Sequence, residues 1–542
     1  MAKVWQINNQ KIILTSEELL EQLLLNRGLK TKNQREKFLN PKLEEFESDL
    51  NLAGITTAKK RILEAIKKQE LIIIYGDYDA DGLCGAAILY HGLTSLGGKV
   101  LPYIPHRDEE GYGLSSEGLK FAKEQGASLI VTVDNGIVAL KQAKEAKKLG
   151  FDLIITDHHV PLDKKPECLA IVHATNLCGA AVAWCLIRKI IPEKRSEELL
   201  DLVALATICD LISLTGVNRS LVKLGLKKLN STKRPGLLAL IKQSSLQLGG
   251  IDAYQVGHIL GPRLNAKGRL EHAMDGLRLL CTKDLNKAFN LARMLGEAND
   301  QRKQLVTEAV LKAREIIEVK GKKIIIIDSE KWIPGIVGLV AGRLKEEYDL
   351  PAIVISRGEV FSKGSARSIN GINIIETIRQ FSGILVDVGG HPQAAGFTIE
   401  TSKIEIFKEK LEKALEKVEI LEDNNLEIEA ILDPKKIAKN WVNKISDFEP
   451  FGVGNQKPIL ASFNTKITDI RTVGAEQHLK FRVIDPELGR RTDGIEAIAF
   501  GFGSWKNLLQ EGQLINLAYY LEIDKFNGDE KLQLKIIDIQ LP

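Results

Sequence analysis

The sequence predicts an α/β protein: two α/β domains joined by a helical region, with a small β-barrel at the C-terminal end. Three observations carry that reading. Apolar strand-like runs alternate with helical patterns over residues 70–215 and again over 321–425, as they do when a largely parallel sheet is covered by helices. Residues 216–320 have few strand signals. Residues 426–542 break into short segments of alternating polarity.

In chain order, residues 1–55 read as a short helical lead-in (SEELLEQLLLNRGL, then NQREKFLNP), and Thr57 to Lys68 as an amphipathic helix. LIIIY, KVLPYIP, SLIVTV and FDLIIT follow as strands with helices between them, CLAIVH follows after a loop, and GAAVAWCLIRKII is a long apolar helix. Within 216–320, a long helix ending in KAREIIEVKG reads as a rod between two domains. KKIIIID, PAIVISR and ILVDVGG are strands of the second α/β domain, and TSKIEIFKEKLEKALEKV is a helix whose i, i+4 charge pairs mark a solvated face. Six short strand-like segments then follow, with Asn527-Gly528 as a hairpin turn, and their number and spacing predict a barrel of OB-fold type. Its aromatics (Phe463, Phe481, Phe500, Phe502, Trp505, Tyr519, Tyr520) are expected mostly in the core. The resulting division is 1–55, 56–215, 216–320, 321–425 and 426–542.

The bulk numbers bound the class. A chain of 542 residues with 44% hydrophobic residues builds several cores. A net charge of +4 permits a nucleic-acid partner without requiring one. The six cysteines include no CxxC pair and are read as reduced, buried thiols. No signal-peptide core opens the chain, and no apolar run reaches the ~18 residues of a membrane helix. The expectation is a soluble, cytoplasmic protein. The absence of GxxxxGK[ST] argues against a motor.

The chemistry concentrates in LIIIYGDYDADGL. A buried strand ends at a glycine, and Asp77, Asp79 and Asp81 follow at alternate positions before a helix begins. Open α/β sheets place ligands at this end of their strands. Three carboxylates this close repel unless protons or a cation neutralise them, and hard divalent cations prefer oxygen ligands. A solvated acidic turn is the bland alternative. An EF-hand is excluded because its twelfth position would be Ile88 rather than Glu, and because a strand rather than a helix comes first. Asp134 closes SLIVTVDNG, Asp157, His158 and His159 close FDLIITDHH, and Asp210 closes DLVALATICD. Each follows an apolar run and is expected at the same sheet edge. Six carboxylates and two imidazoles exceed the needs of one ion, so two ions are expected, with imidazole favouring Mn²⁺ over Mg²⁺.

DYDADG, VDNG, DHH and the later GGHPQAAGF resemble the DHH phosphoesterase superfamily with its DHH-associated domain, over roughly residues 55–425. The resemblance implies cleavage of phosphoester or phosphoanhydride bonds with Mn²⁺ or Mg²⁺. The helical insert with GPRLNAKGRLEHA and the module introduced by EPFGVGNQKP are similar to the branch that degrades single-stranded DNA 5′→3′ to mononucleotides in repair and recombination. The alternative is a family phosphodiesterase acting on oligoribonucleotides or cyclic dinucleotides. The resemblance implies Asp77, Asp79, Asp81, Asp134, His158 and Asp210 as metal ligands, with Asp79 and Asp81 foremost in the first motif and Asp134 bridging. It implies His159 at the scissile phosphate or a metal, and Asp157 orienting the histidines. It assigns Arg263, Asn265, Arg269, Ser365, Arg367, Ser368, Gly389, Gly390 and His391 to grip the strand, although Lys267 replaces the family's usual alanine. Single-strand binding protein and a RecQ-type helicase are the implied partners, and no membrane is involved.

Overall fold

The computed structural model describes residues 3–318, 321–416, 418, 424–484, 494–524 and 530–542. The chain divides into two units: Met1–Phe46 with Ser213–Lys223 and Asp423–Pro542, and Glu47–Ile212 with Leu224–Glu422.

The larger unit contains both α/β sheets. The first is a five-stranded parallel sheet in the spatial order Lys99–Tyr103, Leu71–Gly76, Leu129–Val133, Asp152–Asp157, Ala170–His173. Ile72, Ile73, Ile74 and Tyr75 are fully buried, which is why the strand reads as an unbroken apolar run rather than an alternation. Pro102 is tolerated because its strand is at the edge. Three apolar helices, Ala80–Thr94, Gly179–Ile187 and Leu200–Cys209, pack against one another. Leu119, Ala122, Ala143 and Ala146, from helices Ser116–Glu124 and Leu140–Lys148, join a core with Tyr75 and Ile155.

The second sheet is mixed, in the order Leu385–His391, Ala394–Glu400, Phe361–Arg367, Ala352–Ser356, Ile325–Ser329, with only the last two strands parallel. Two of its strands were hidden by composition. Phe361–Arg367 contains the GSAR segment, whose polar and glycine residues are poor strand formers, yet its burial alternates strictly as a half-buried strand requires. The 32-residue helix Leu285–Ile316 reaches both lobes: Ala309, Val310 and Ala313 enter the core formed by Ile325, Ile327 and Val337. The start of helix Pro334–Tyr348 presses on the insert so closely that a Cβ on Gly335 would lie 1.8 Å from the main-chain oxygen of Arg269.

In the smaller unit, Leu460–Val473, His478–Ile484, Ile495–Ala499, Lys531–Gln540 and Leu514–Asp524 pair in a ring and close a five-stranded barrel. Register shifts at Ser462/Thr465, Thr468/Arg471 and Ala518/Tyr519 supply the bends that closure needs. Asn527 and Gly528 lie outside the described residues. Phe481 and Tyr519 are fully buried, whereas Phe463 and Phe500 are exposed. The N-terminal segment is not purely helical: besides helices Ser16–Asn26 and Lys32–Leu39, Val4–Ile7 pairs with Asn425–Ile428 and Ile12–Ile13 with Ala430–Leu432. These strands are too short to show a period, and they exist through pairing with residues some 420 positions away. In the EPFGVGNQKP segment Asn455 Nδ2 donates to the oxygens of Phe448 and Pro450, and Arg27, at the end of helix Ser16–Asn26, donates to Asn455 Oδ1 and pairs with Glu429 at 2.7 Å.

No described helix is long and apolar enough to cross a membrane. The six cysteines are free thiols, three of them fully buried (Cys84, Cys178 and Cys185).

Candidate metal centre and phosphate site

The acids reach one place by different routes. Asp77 directly follows strand Leu71–Gly76, Asp134 follows Leu129–Val133, and Asp157 ends Asp152–Asp157, all at the C-terminal edge of the parallel sheet. Asp210 does not come from the sheet. Its apolar run, DLVALATIC, is the helix Leu200–Cys209, buried on all sides and therefore indistinguishable by hydropathy from a buried strand. Asp79 caps helix Ala80–Thr94, accepting from the N–H groups of Asp81 (2.9 Å) and Gly82 (3.1 Å). The turn is tight enough that a Cβ on Gly82 would stand 2.5 Å from the Asp77 carbonyl oxygen. Asp81 lies at the N-terminus of helix Gly179–Ile187, with one oxygen accepting from Gly179 N (2.6 Å) and the other from Ala180 N (2.7 Å). Asp134 has a left-handed backbone, φ 62°, and packs against Gly179, where any Cβ would fall 2.6 Å from its own.

His158 Nε2 lies 3.1 Å from Asp134, 3.6 Å from Asp210 and 3.8 Å from Asp81. Asp157 points the other way, accepting from Ile137 N (2.8 Å), His158 N (2.7 Å), His159 N (3.2 Å) and His159 Nδ1 (2.8 Å). Burial raises its carboxyl, but the His159 hydrogen bond and charge and the backbone donors outweigh that and hold it low. Burial likewise pulls His159 down, and Asp157 more than compensates. His158 is held down at about 4 by burial and by His159, so it presents a neutral ring.

The remaining carboxyls are driven up. Burial, then the charge of Asp79, raises Asp77 well above the carboxylate range and Asp81 to about 7. Burial and the other aspartates raise Asp134 strongly, and burial with Asp81 and Asp79 raises Asp210 to about 9. Buried oxygens Oδ1 of Asp77 and Oδ1 of Asp134 make no hydrogen bond, the latter despite His158 at 3.1 Å. Such groups are costly unless a cation satisfies them. Three sets of ligand atoms each lie within 4.8 Å of one another: Asp77, Asp79 and Asp134; Asp134, His158 and His159; Asp81, His158 and Asp210. The sets share Asp134 and His158. A mixed oxygen and imidazole donor set of this size fits a pair of divalent cations of the Mn²⁺ or Mg²⁺ kind.

Beside the acids lies a group of arginines. Arg269 is held down at about 10 by burial and by the charges of Arg107, Arg302 and Arg367, with Asp79 acting against them. Burial and Arg107 lower Arg367; burial and Arg263 and Arg343 lower Arg302. The buried Nε atoms of Arg269 and Arg302 have no hydrogen-bond partner, and among the described residues no ion pair joins Arg107, Arg269, Arg302 or Arg367 to a carboxylate. Guanidinium groups crowded together with no carboxylate in ion-pair contact form an anion site, and their forked donors match phosphate. Arg263 spends Nε on Gln243 and Nη1 on the Ile259 oxygen, and the Asn265 Oδ1 is buried without a partner.

In the second lobe, register sets two rows across the sheet: Ser365–Gly396–Gly389 and Arg367–Ala394–His391. Arg367 Nη1 donates to Ser365 Oγ at 3.0 Å. Gly389, Gly390 and His391 lie on the exposed edge strand. Ser368 is set apart: its buried hydroxyl donates to the Ile372 oxygen and closes a turn.

Three residues at the site were not anticipated from the sequence. Arg107 and Tyr112 belong to HRDEEGYGL, a charged loop. Gly111 and Gly113 are both left-handed and present Tyr112, whose hydroxyl donates to the Asp134 oxygen at 2.8 Å and lies 3.0 Å from His159 Nδ1. The paired glycines were the available clue. Arg302 was one charge among many on a long helix.

Carboxylates and imidazoles gathered at a sheet edge, with unpaired arginines alongside, define a metal-dependent phosphoesterase. The comparisons narrow the class. The DHH family N-terminal domain matches residues 71–207, the DHHA1 domain residues 321–419 and the RecJ OB domain residues 428–538. The single-stranded-DNA-specific exonuclease RecJ of Bacillus subtilis is 36% identical over 536 residues, covering 96% of this chain and 67% of the relative. The crystal structure of Thermus thermophilus RecJ in complex with Mn²⁺ matches with a TM-score of 0.84 at 28% identity, covering 99% of this chain and 79% of that one. The Mg²⁺ complex of the same protein matches at 0.76 and 27%, covering 99% and 78%. The chain belongs to the RecJ family.

Proposed function

We propose that this chain is an exonuclease that hydrolyses single-stranded DNA 5′→3′, releasing 5′-mononucleotides, in DNA repair and recombination. The observation that carries the reading is the adjacency of two sites of opposite charge: a Cβ on Gly268 would stand 2.6 Å from the Tyr78 oxygen in the acidic loop, while the main-chain oxygen of Arg269 meets Gly335 of the helix whose Gly338 lies against Arg367. A backbone of repeating phosphates is recognised by such a pair, one site cutting and the other holding.

Asp77, Asp79, Asp81, Asp134, His158 and Asp210 would hold Mn²⁺ or Mg²⁺. Two divalent cations there supply Lewis-acid neutralisation of the phosphate and a water of lowered pKa. Asp157 fixes both histidines; His159, kept protonated on Nδ1, faces the scissile phosphate. Arg263, Asn265, Arg269, Ser365, Arg367, Gly389, Gly390 and His391 grip phosphates, the glycines by letting main-chain N–H groups come close. Arg107 and Arg302 add to that grip, while Ser368 supports it from the turn. The working division is a DHH domain at 56–215, the helical insert at 216–320, the DHH-associated domain at 321–425 and the OB module at 426–542, behind the lead-in 1–55. Single-strand binding protein and a RecQ-type helicase, in the cytoplasm, are the partners this role calls for.

Replacing Asp81 or His158 with Ala abolishes cleavage of single strands while leaving the circular-dichroism spectrum unchanged. Substantial residual activity in either variant contradicts the assignment.

A further inference from the structure

Upstream of Arg263 the helical insert carries a feature that the reading above does not use. Residues Val256–Leu260 form a π-helical turn between Ala253–Gln255 and helix Gly261–Leu270. Such turns are rare and are found frequently at functional sites. Across this one, Tyr254 and His258 stack face to face, with centroids 4.3 Å apart and planes 16° apart. His258 Nδ1 donates to the Tyr254 main-chain oxygen at 3.1 Å, which fixes the imidazole against the phenol. Tyr254 is nonetheless 65% exposed. The stack holds the rings in a fixed orientation and leaves an outer, unstacked ring face open to water.

Its place is defined by the glycines beside it. A Cβ on Gly257 would stand 3.4 Å from Ile208, and one on Gly261 2.3 Å from the sulfur of Cys209. The turn therefore lies directly against the end of the helix that delivers Asp210. Leu211, the residue after Asp210, has a left-handed backbone and is 70% exposed. Arg263 Nη1 donates to the Ile259 oxygen of the same turn at 2.8 Å, tying a phosphate-gripping residue to it.

An ordered, exposed aromatic face between a metal ligand and a phosphate contact suits an unpaired nucleobase, because every base has a π-face and stacking tolerates all sequences. We propose that Tyr254 and His258 form a stacking platform for one base of the single strand, next to the Asp210 side of the metal centre. The proposal rests on the single-strand reading and adds to it a base contact beyond the phosphates.

The test uses the full chain in chelator, so that nothing is cut, and oligothymidylate carrying one 2-aminopurine or one abasic residue moved stepwise from the 5′ end. With the native chain, 2-aminopurine fluorescence is quenched by stacking at one position, and an abasic residue there weakens binding about tenfold. Tyr254→Ala restores the fluorescence and weakens binding of the intact strand by a similar factor, but leaves binding of the strand abasic at that position unchanged; His258→Ala does the same to a smaller degree. Equal weakening on intact and abasic strands means a structural role and overturns the platform, as does no weakening at all. If the native chain neither binds nor, with Mn²⁺, degrades the intact strand, the single-strand reading fails and takes the platform with it.

Discussion

Oδ1 of Asp157 accepts two hydrogen bonds from His159, one from its main-chain N–H at 3.2 Å and one from Nδ1 at 2.8 Å. The residue that ends a buried strand thereby fixes both the backbone and the ring of a neighbour that faces the site. With Nδ1 protonated, the tautomer and orientation of His159 are set before any substrate arrives.

Asp157→Asn keeps the shape of this arrangement but offers an amide where donors converge. The expected loss is about 10–100-fold in activity, as for other residues that orient ligands. Steady-state kinetics at saturating Mn²⁺ checks it, with thermal melting showing that the fold persists.

Tyr112→Phe removes the hydroxyl that donates to the Asp134 oxygen and touches His159. A net hydrogen bond is worth about 0.5–1.5 kcal/mol, so kcat should fall about 2–10-fold and the apparent affinity for Mn²⁺ should weaken. An unchanged metal titration would show that Tyr112 does not support the Asp134 loop.

Arg367→Gln and Arg269→Gln each remove one cation from a group that has no acid partner. KM for single strands rises about tenfold or more, with a smaller effect on kcat, because charge-assisted contacts are worth about 1.5–3 kcal/mol. The slope of log affinity against log salt shrinks by roughly one for each arginine. A salt slope equal to that of the native chain would mean that the arginine meets no phosphate.

The acids also predict how stability depends on pH. With no cation bound, Asp210 is held up at about 9 and Asp81 at about 7 by burial and neighbouring charge. In the unfolded chain both titrate near 3.9. The native state therefore holds more protons than the unfolded chain over this interval, and raising the pH from about 6.5 to about 9 lowers the stability of the metal-free protein. His158, held down at about 4, acts in the opposite sense only below its unfolded value of about 6.5. Cation binding to the ionised carboxylates removes the loss. Melting temperatures in chelator should fall across the window while those in Mn²⁺ hold, so the gap widens with pH; a constant gap would contradict the assignment of these acids as ligands.

Much of this was legible in the sequence because the cues are local. DYDADG, VDNG and DHH each follow an apolar run, and a buried parallel strand leaves that pattern whatever surrounds it. Asp210 shows where locality ends: a helix buried on every side has no amphipathic period, so its acid could be assigned to the site but not to its element. Strand Phe361–Arg367 was obscured by its composition, since glycine, serine and arginine are poor strand formers held in place by neighbours on both sides. Strands Val4–Ile7 and Ile12–Ile13 depend on partners at the other end of the chain, and Arg107, Arg302 and Tyr112 on tertiary approach. Of these only Tyr112 carried a local mark, the glycines on either side of it.

The proposed function requires one site to cut single strands from the 5′ end with divalent metal. The direct measurement follows product release from single-stranded DNA labelled at either end, beside the matching duplex, in Mn²⁺, Mg²⁺ or chelator. Labelled mononucleotide should appear first from the 5′ label, with the duplex spared and chelator silencing the reaction. Long strands left intact while dinucleotides or cyclic dinucleotides are turned over would contradict it.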